Sequence, residues 1–274
     1  TSAITDAPLN TPSRLSRGTR AYIISLAIIL FFTAIHFLLS FSRLESYFRF
    51  GVFWCVISLA IGCSAVLLAS ASALSLSVRE CLLIAALISV LNLMVSTLGM
   101  SYCSYSAIAD APMLRGLLRK RAPTVAWTTW SGNVVAVVVI GTLYVRGLAI
   151  LFSCSQLNDP LIPGGMVLLQ DASFIAAFAA ALSVAITEAL IFRLFLQNFI
   201  AAVAQLSNSR YLLAMAVAAT LWALGHSQLV GIGPLRLVQL VPIGVALGHL
   251  ARRHGIEAAI LAQTAISLLL FAWS

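Results

Sequence analysis

The chain has 274 residues, of which 61% are hydrophobic and only 9% charged, and its formal net charge is +8. Soluble globular domains carry roughly 25% charged residues, so this composition excludes a soluble enzyme. The basic residues are dispersed among the ends of apolar runs and form no patch with interleaved aromatic residues, which argues against a nucleic-acid partner. Their positions fit anchoring at a membrane interface, and the lipid bilayer is the expected partner.

The apolar runs are each about 20 residues long, which is enough for a helix to cross the ~30 Å hydrocarbon core of a bilayer. The sequence therefore predicts an all-α, polytopic membrane helix bundle with about eight transmembrane helices. In chain order the predicted spans are 21–42, 50–77, 81–109, 124–145, 172–205, 211–230, 237–250 and 256–273.

The chain divides near a loop at 156–170, which is rich in proline, glycine, asparagine and aspartate. These residues break both helices and strands. We expect a polar N-terminal tail at 1–20, N-terminal transmembrane helices at 21–155, and a core at 172–274 that carries the unusual polar groups.

Basic residues are more frequent in the loops after the first, third, fifth and seventh predicted spans than on the opposite side. This bias favours a cytoplasmic position for those loops, although three arginines in the N-terminal tail argue the other way. One basic stretch, 110–121, is predicted to lie at the interface. The expected location is a bacterial inner membrane or an equivalent organellar membrane.

Glu188 is the only acidic residue that lies deep inside an apolar span. A carboxylate in lipid costs several kcal/mol unless it is paired, protonated or hydrated, so such residues often mark functional sites. The alternative is a protonated glutamate that bonds to a neighbouring helix and only holds the bundle together.

His226 lies as far along the chain from Ser207 as Glu188 does, on the other side of a polar turn. Two antiparallel helices joined by that turn would bring the two groups to a similar depth. His36, in the first span, is interpreted as a packing residue. Arg193 follows Glu188 by five residues, about 140° around an α-helix, so the two do not share a face. The partners left open are Glu188 by a bent geometry, a carbonyl or a lipid phosphate, and the alternative is that Arg193 extends toward the interface.

The last two spans carry polar and small residues at helical spacing. Gln263 and Ser267 are four residues apart and project from one face, where they could donate hydrogen bonds to another helix. Gly244 and Gly248 form a small-xxx-small pair that lets another backbone approach. The five cysteines show no C-x-x-C spacing and are interpreted as small hydrophobic residues.

The residues from Glu188 to Arg193, then Trp222 to His226, the Gly244 pair and Gln263 to Ser267 form a pattern in the same order as known motifs. The pattern resembles the CPBP family of CAAX prenyl endopeptidases and bacteriocin-processing or self-immunity proteins. Its motifs read Glu-Glu-x-x-x-Arg, aromatic-x-x-x-His and His-x-x-x-Asn or Asp. The resemblance implies that Glu188 activates water and that His226 supports it, while Arg193, Trp222, Gly244 and Gly248 take supporting positions.

Three positions depart from these motifs. The second glutamate is Ala189, the last-helix histidine is Gln263, and the asparagine or aspartate is Ser267. A catalytic zinc usually has three protein ligands, so a metal is not expected and no cofactor is predicted. A metal-free route would use Glu188 as the base, with Gln263 and Ser267 as donors to the oxyanion.

Three functions remain open from the sequence. One is an intramembrane endopeptidase that cleaves a membrane-tethered peptide. The second is a non-catalytic scaffold, assembly factor or subunit bound to other membrane-protein subunits. The third is ion or proton transport along the buried polar groups.

Overall fold

The computed structural model describes residues 17–69, 78–106, 127–153, 173–230 and 233–272, and the regular structure in these ranges is helical. The α-helices are α1 Arg17–Ala69, α2 Val78–Ser106, α3 Trp127–Leu151, α4 Phe174–Glu188, α5 Gln197–Val203, α6 Tyr211–Val230, α7 Gly233–His254 and α8 Ile256–Ala272. A π-helix at Ala189–Leu196 connects α4 to α5 without a break, and a short 3-10 turn at Asn208–Arg210 precedes α6. The predicted all-α membrane bundle is confirmed.

Within the described ranges, five helical segments are long and apolar enough to cross a membrane, namely Tyr47–Val66, Leu82–Cys103, Trp127–Leu151, Phe174–Val203 and Pro234–His254. Shorter apolar helical segments occupy Phe31–Ser40, Tyr211–His226 and Ile256–Ala272. Large apolar side chains such as Phe32 and Leu39 face outward, as expected for surfaces covered by lipid. The chain is an integral, multi-pass membrane protein.

The first two predicted spans are not separate helices. α1 runs without interruption through residues 43–49, where the charges Arg43, Glu45 and Arg49 had predicted a loop. This stretch contains no proline or glycine, and arginine, leucine and glutamate are good helix formers. Leu44 within it is buried and packs in a small cluster with α2. The predicted break at residues 43–49 is therefore wrong, because charge alone does not end a helix.

Other boundaries shift by smaller amounts. α3 continues past residue 145, where the predicted span ends, and α7 is longer at both ends than predicted even though it contains Pro242. The predicted interfacial stretch 110–121 and the loop 156–170 lie outside the described residues, as do residues 1–16 of the predicted tail.

The continuous rod Phe174–Val203 is the element that positions the site. Its first turn is capped by Ser173, whose hydroxyl accepts a hydrogen bond from the backbone N–H of Ala176 at 3.3 Å. The rod contacts α1, α2, α6, α7 and α8 along its length. The last two helices are joined by the single residue Gly255, which lies between the end of α7 at His254 and the start of α8 at Ile256. Its φ of 93° is favourable for glycine.

Candidate functional site

Glu188 is the last residue of α4, and its carboxylate bonds to two other helices. Oε2 accepts a hydrogen bond from Trp222 Nε1 on α6 at 2.7 Å and from Gln263 Nε2 on α8 at 2.5 Å. The Glu188 side chain retains only 10% of its exposure. A buried carboxylate is expensive unless donors satisfy it, so these two bonds hold the rod, α6 and α8 together at one point.

His226 lies beside the other oxygen of the same carboxylate. Its Nε2 is 3.3 Å from Glu188 Oε1, so the structure places the two groups together, as their equal distances from the turn predict. His226 Nδ1 is 3.0 Å from the backbone oxygen of Trp222. Because a carbonyl can only accept, Nδ1 must carry the proton of that bond.

Arg193 is buried against the same cluster, although an α-helix would turn it about 140° away from Glu188. The residues after Glu188 form a π-helix, in which hydrogen bonds span five residues and residue i+5 lies near residue i. Arg193 Nη1 donates to the backbone oxygen of Glu188 at 3.3 Å, and its guanidinium carbon lies 4.4 Å from the centroid of a Trp222 ring. The carbonyl partner was among those predicted, whereas the angle was wrong because it assumed an α-helix.

Trp222 contacts the three ionisable residues of the cluster, Glu188, Arg193 and His226. Its indole N–H bonds to Glu188, its ring lies under Arg193, and its carbonyl fixes His226. The ring is almost completely buried. A cation over an aromatic ring is attracted by about 2 kcal/mol or more when both groups are desolvated, so Trp222 stabilises Arg193 where no carboxylate at position 189 is present.

Gln263 and Ser267 are both buried on α8, one turn apart. Gln263 donates to Glu188, while its Oε1 atom has no partner among the described residues. No hydrogen bond joins Ser267 to Glu188 or His226 within that part of the chain. The structure thus brings Gln263 directly to the carboxylate and leaves Ser267 one turn away.

The two glycines of α7 lie where neighbouring groups come close. A Cβ at Gly244 would be 2.8 Å from the Cβ of Ala219 and 3.0 Å from Cε3 of Trp222. A Cβ at Gly248 would be 2.7 Å from Oε1 of Gln197. Gly244 therefore lets α7 approach the backbone of α6 and leaves room for the Trp222 ring.

The Gly244→Ala variant is expected to lose about 1–3 kcal/mol of stability, because the added methyl group must displace Ala219 or the Trp222 ring. Gly225→Ala is the matched control, since a Cβ there meets nothing within 4 Å and alanine favours the helix. Thermal unfolding in detergent micelles measures both. Equal melting temperatures for the two variants would contradict the close approach at Gly244.

Sequence reasoning missed a buried network at the end of the rod. Tyr211 accepts a hydrogen bond from Gln197 Nε2 at 3.0 Å and donates to Asn198 Oδ1 at 2.7 Å. Asn198 also donates to the carbonyl of Leu194. Two adjacent amides inside an apolar run were the available signal.

A second missed group lies between the N-terminal helices and the rod. Asn92 donates to Ser58 at 2.8 Å and to Thr187, the residue before Glu188, at 3.0 Å. His36 bonds and stacks with Tyr102, which agrees with its interpretation as a packing residue.

Residues 170–269 match the family model described as Rce1-like, type II CAAX prenyl endopeptidase Rce1-like. These residues are similar to that family, and they are called the Rce1-like segment below. The matched residues include Glu188, His226, Gln263 and Ser267, so the resemblance inferred from the motifs is confirmed over the part of the chain that carries them. No curated protein and no solved structure matches the chain.

Among the described residues, no three histidine, cysteine, aspartate or glutamate side chains lie together in a way that could hold a metal ion. Around Glu188 the nearest polar groups are an indole, an amide and one imidazole. A metal-free centre in the Rce1-like segment stays a prediction, as do the roles of its residues.

Proposed function

We propose that the Rce1-like segment acts as a non-catalytic scaffold or subunit of a membrane complex, in which the Glu188 cluster fixes the arrangement of the helices. The observation that carries this proposal is the direction of two hydrogen bonds. Trp222 and Gln263 both donate to Oε2 of Glu188, so these N–H groups stabilise the resting carboxylate. An oxyanion hole needs donors aimed at the position of the developing charge.

The surroundings of His226 support the same proposal. Its Nε2 atom is fully buried and faces Oε1 of Glu188. General-base catalysis requires the base to reach the proton of a water or substrate, directly or through one water molecule. In the resting arrangement the imidazole and the carboxylate are directed at each other.

The departures from the family motifs agree with a structural role. Gln263 supplies a donor that cannot titrate, and Ala189 removes a second carboxylate beside Arg193. The interaction that remains is the hydrogen bond from Gln263 to Glu188, which joins two helices. Such bonds in membranes contribute about 0.6–2 kcal/mol each. The proposed partners are other membrane-protein subunits, in a bacterial inner membrane or an equivalent organellar membrane.

An intramembrane endopeptidase is the second candidate. It is favoured by the remaining exposure of the Glu188 side chain and by the carboxylate–imidazole pair that it forms with His226. In this function Glu188 would activate water, His226 would orient it, and Gln263 with Ser267 would donate to the oxyanion of a membrane-tethered peptide.

Cleavage of membrane-tethered reporter peptides by the full chain in liposomes distinguishes the two. We expect the wild-type chain to cleave the reporter no faster than the Glu188→Gln variant does. The triple variant Ala189→Glu, Gln263→His and Ser267→Asn, which restores the polar residues of the family motifs, is the positive control. Cleavage by the wild-type chain that disappears in Glu188→Gln would overturn the scaffold proposal in favour of the endopeptidase.

A further inference from the structure

One end of the bundle brings basic residues from two helices together. α7 ends at His254 and α6 begins at Tyr211, and the Arg252 guanidinium carbon lies 4.1 Å from the centroid of the Tyr211 ring. The last turns of α7 therefore lie against the first turn of α6. Arg210, the residue before α6, is exposed at this same end.

The exposed face of α7 at this end is also basic. His249 and Arg253 are four residues apart, so they share a helix face, and both are exposed. Arg253 adds a charged guanidinium to this face, whereas His249 adds an imidazole that is counted as neutral in the formal charge of the chain.

Tryptophan residues place this end at the level of the membrane surface. Trp130 Nε1 donates to the backbone oxygen of His254 at 3.1 Å, so the start of α3 lies beside the end of α7. Trp127, one turn earlier, is 59% exposed. Exposed tryptophan at a helix end is typical of the bilayer–water interface, where headgroups lie.

The helix dipoles account for the positions of only some of these basic residues. Arg252 and Arg253 lie in the last turn of α7, where a cation is favourable. Arg210 precedes the N-terminus of α6, where a cation is unfavourable. Its position indicates an anion outside the protein.

We propose that this basic end, formed by Arg210, Arg252 and Arg253, binds the headgroups of anionic phospholipids. Basic residues at a membrane surface each contribute about 1 kcal/mol to attraction of anionic lipid, which is roughly a fivefold effect in affinity. The surface does not involve Glu188, so the proposal is independent of whether the Rce1-like segment cleaves peptides.

Native mass spectrometry of the purified full chain, titrated with phosphatidylglycerol or phosphatidylcholine, tests this surface. We expect preferential binding of phosphatidylglycerol, and roughly 30-fold weaker binding in the double variant Arg210→Gln and Arg253→Gln. Arg146→Gln is the control, because Arg146 lies 19 residues after Trp127 on α3, roughly 28 Å from this end, and it should bind like the wild type.

Equal binding of the two lipids by the wild-type chain would overturn the proposal, and so would a double variant that binds phosphatidylglycerol as the wild type does. Inorganic phosphate is the third probe. If it displaces phosphatidylglycerol at equal concentration, the site serves a soluble anion and the assignment to lipid is wrong.

Discussion

Replacing Glu188 by leucine is expected to destabilise the chain by about 3–5 kcal/mol, because two buried donors lose their acceptor and each unsatisfied donor costs about 1–3 kcal/mol. These donors are the N–H groups of Trp222 and Gln263. Equilibrium unfolding in bicelles or mild detergent measures the loss.

Glu188→Gln is the matched variant for this measurement. The glutamine oxygen can still accept from Trp222 and Gln263, and its amide can donate to Nε2 of His226. We expect a loss of about 1 kcal/mol or less, since every donor keeps an acceptor. If the leucine variant is as stable as the glutamine variant, the cluster does not hold the helices together.

The second large effect is expected at Trp222. Leucine at this position removes the indole donor and the ring beneath Arg193, and we expect a loss of about 3–5 kcal/mol, as for other large core truncations. Phenylalanine keeps a ring and removes only the N–H donor, so a loss of about 1–3 kcal/mol is expected.

Comparing the two Trp222 variants in the same unfolding assay separates packing from hydrogen bonding. The backbone carbonyl that fixes His226 is unchanged in both. Indistinguishable stability of the phenylalanine variant and the wild type would mean that the Trp222–Glu188 bond contributes nothing measurable.

The sequence was sufficient to place Glu188 and His226 together, because their relation depends only on their positions along the chain. A lone carboxylate in an apolar run and a histidine equally far from a turn require only counting, and antiparallel helices convert equal counts into equal depth. The helical class followed in the same way from the lengths of the apolar runs.

The remaining geometry depends on features without a signature in residue spacing. The α-helical angle between Glu188 and Arg193 does not apply, because the residues between them form a π-helix, which has no distinct hydrophobic period in so short a segment. The bond from Trp222 to Glu188 depends on a side-chain rotamer and on the space left by Gly244 in another helix. The continuity of α1 through its charged residues depends on local propensity, which the charge pattern masked.

The wide turn at Ala189–Leu196 sets the angular phase between two halves of one membrane rod. Hydrogen bonds that span five residues advance the chain through a smaller angle per residue than those of an α-helix, so rewinding the same eight residues as an α-helix would rotate everything after them relative to Glu188. Gln197 and Asn198 would then turn away from Tyr211. The π-helix therefore fixes the direction of the Gln197 and Asn198 side chains relative to the Glu188 carboxylate.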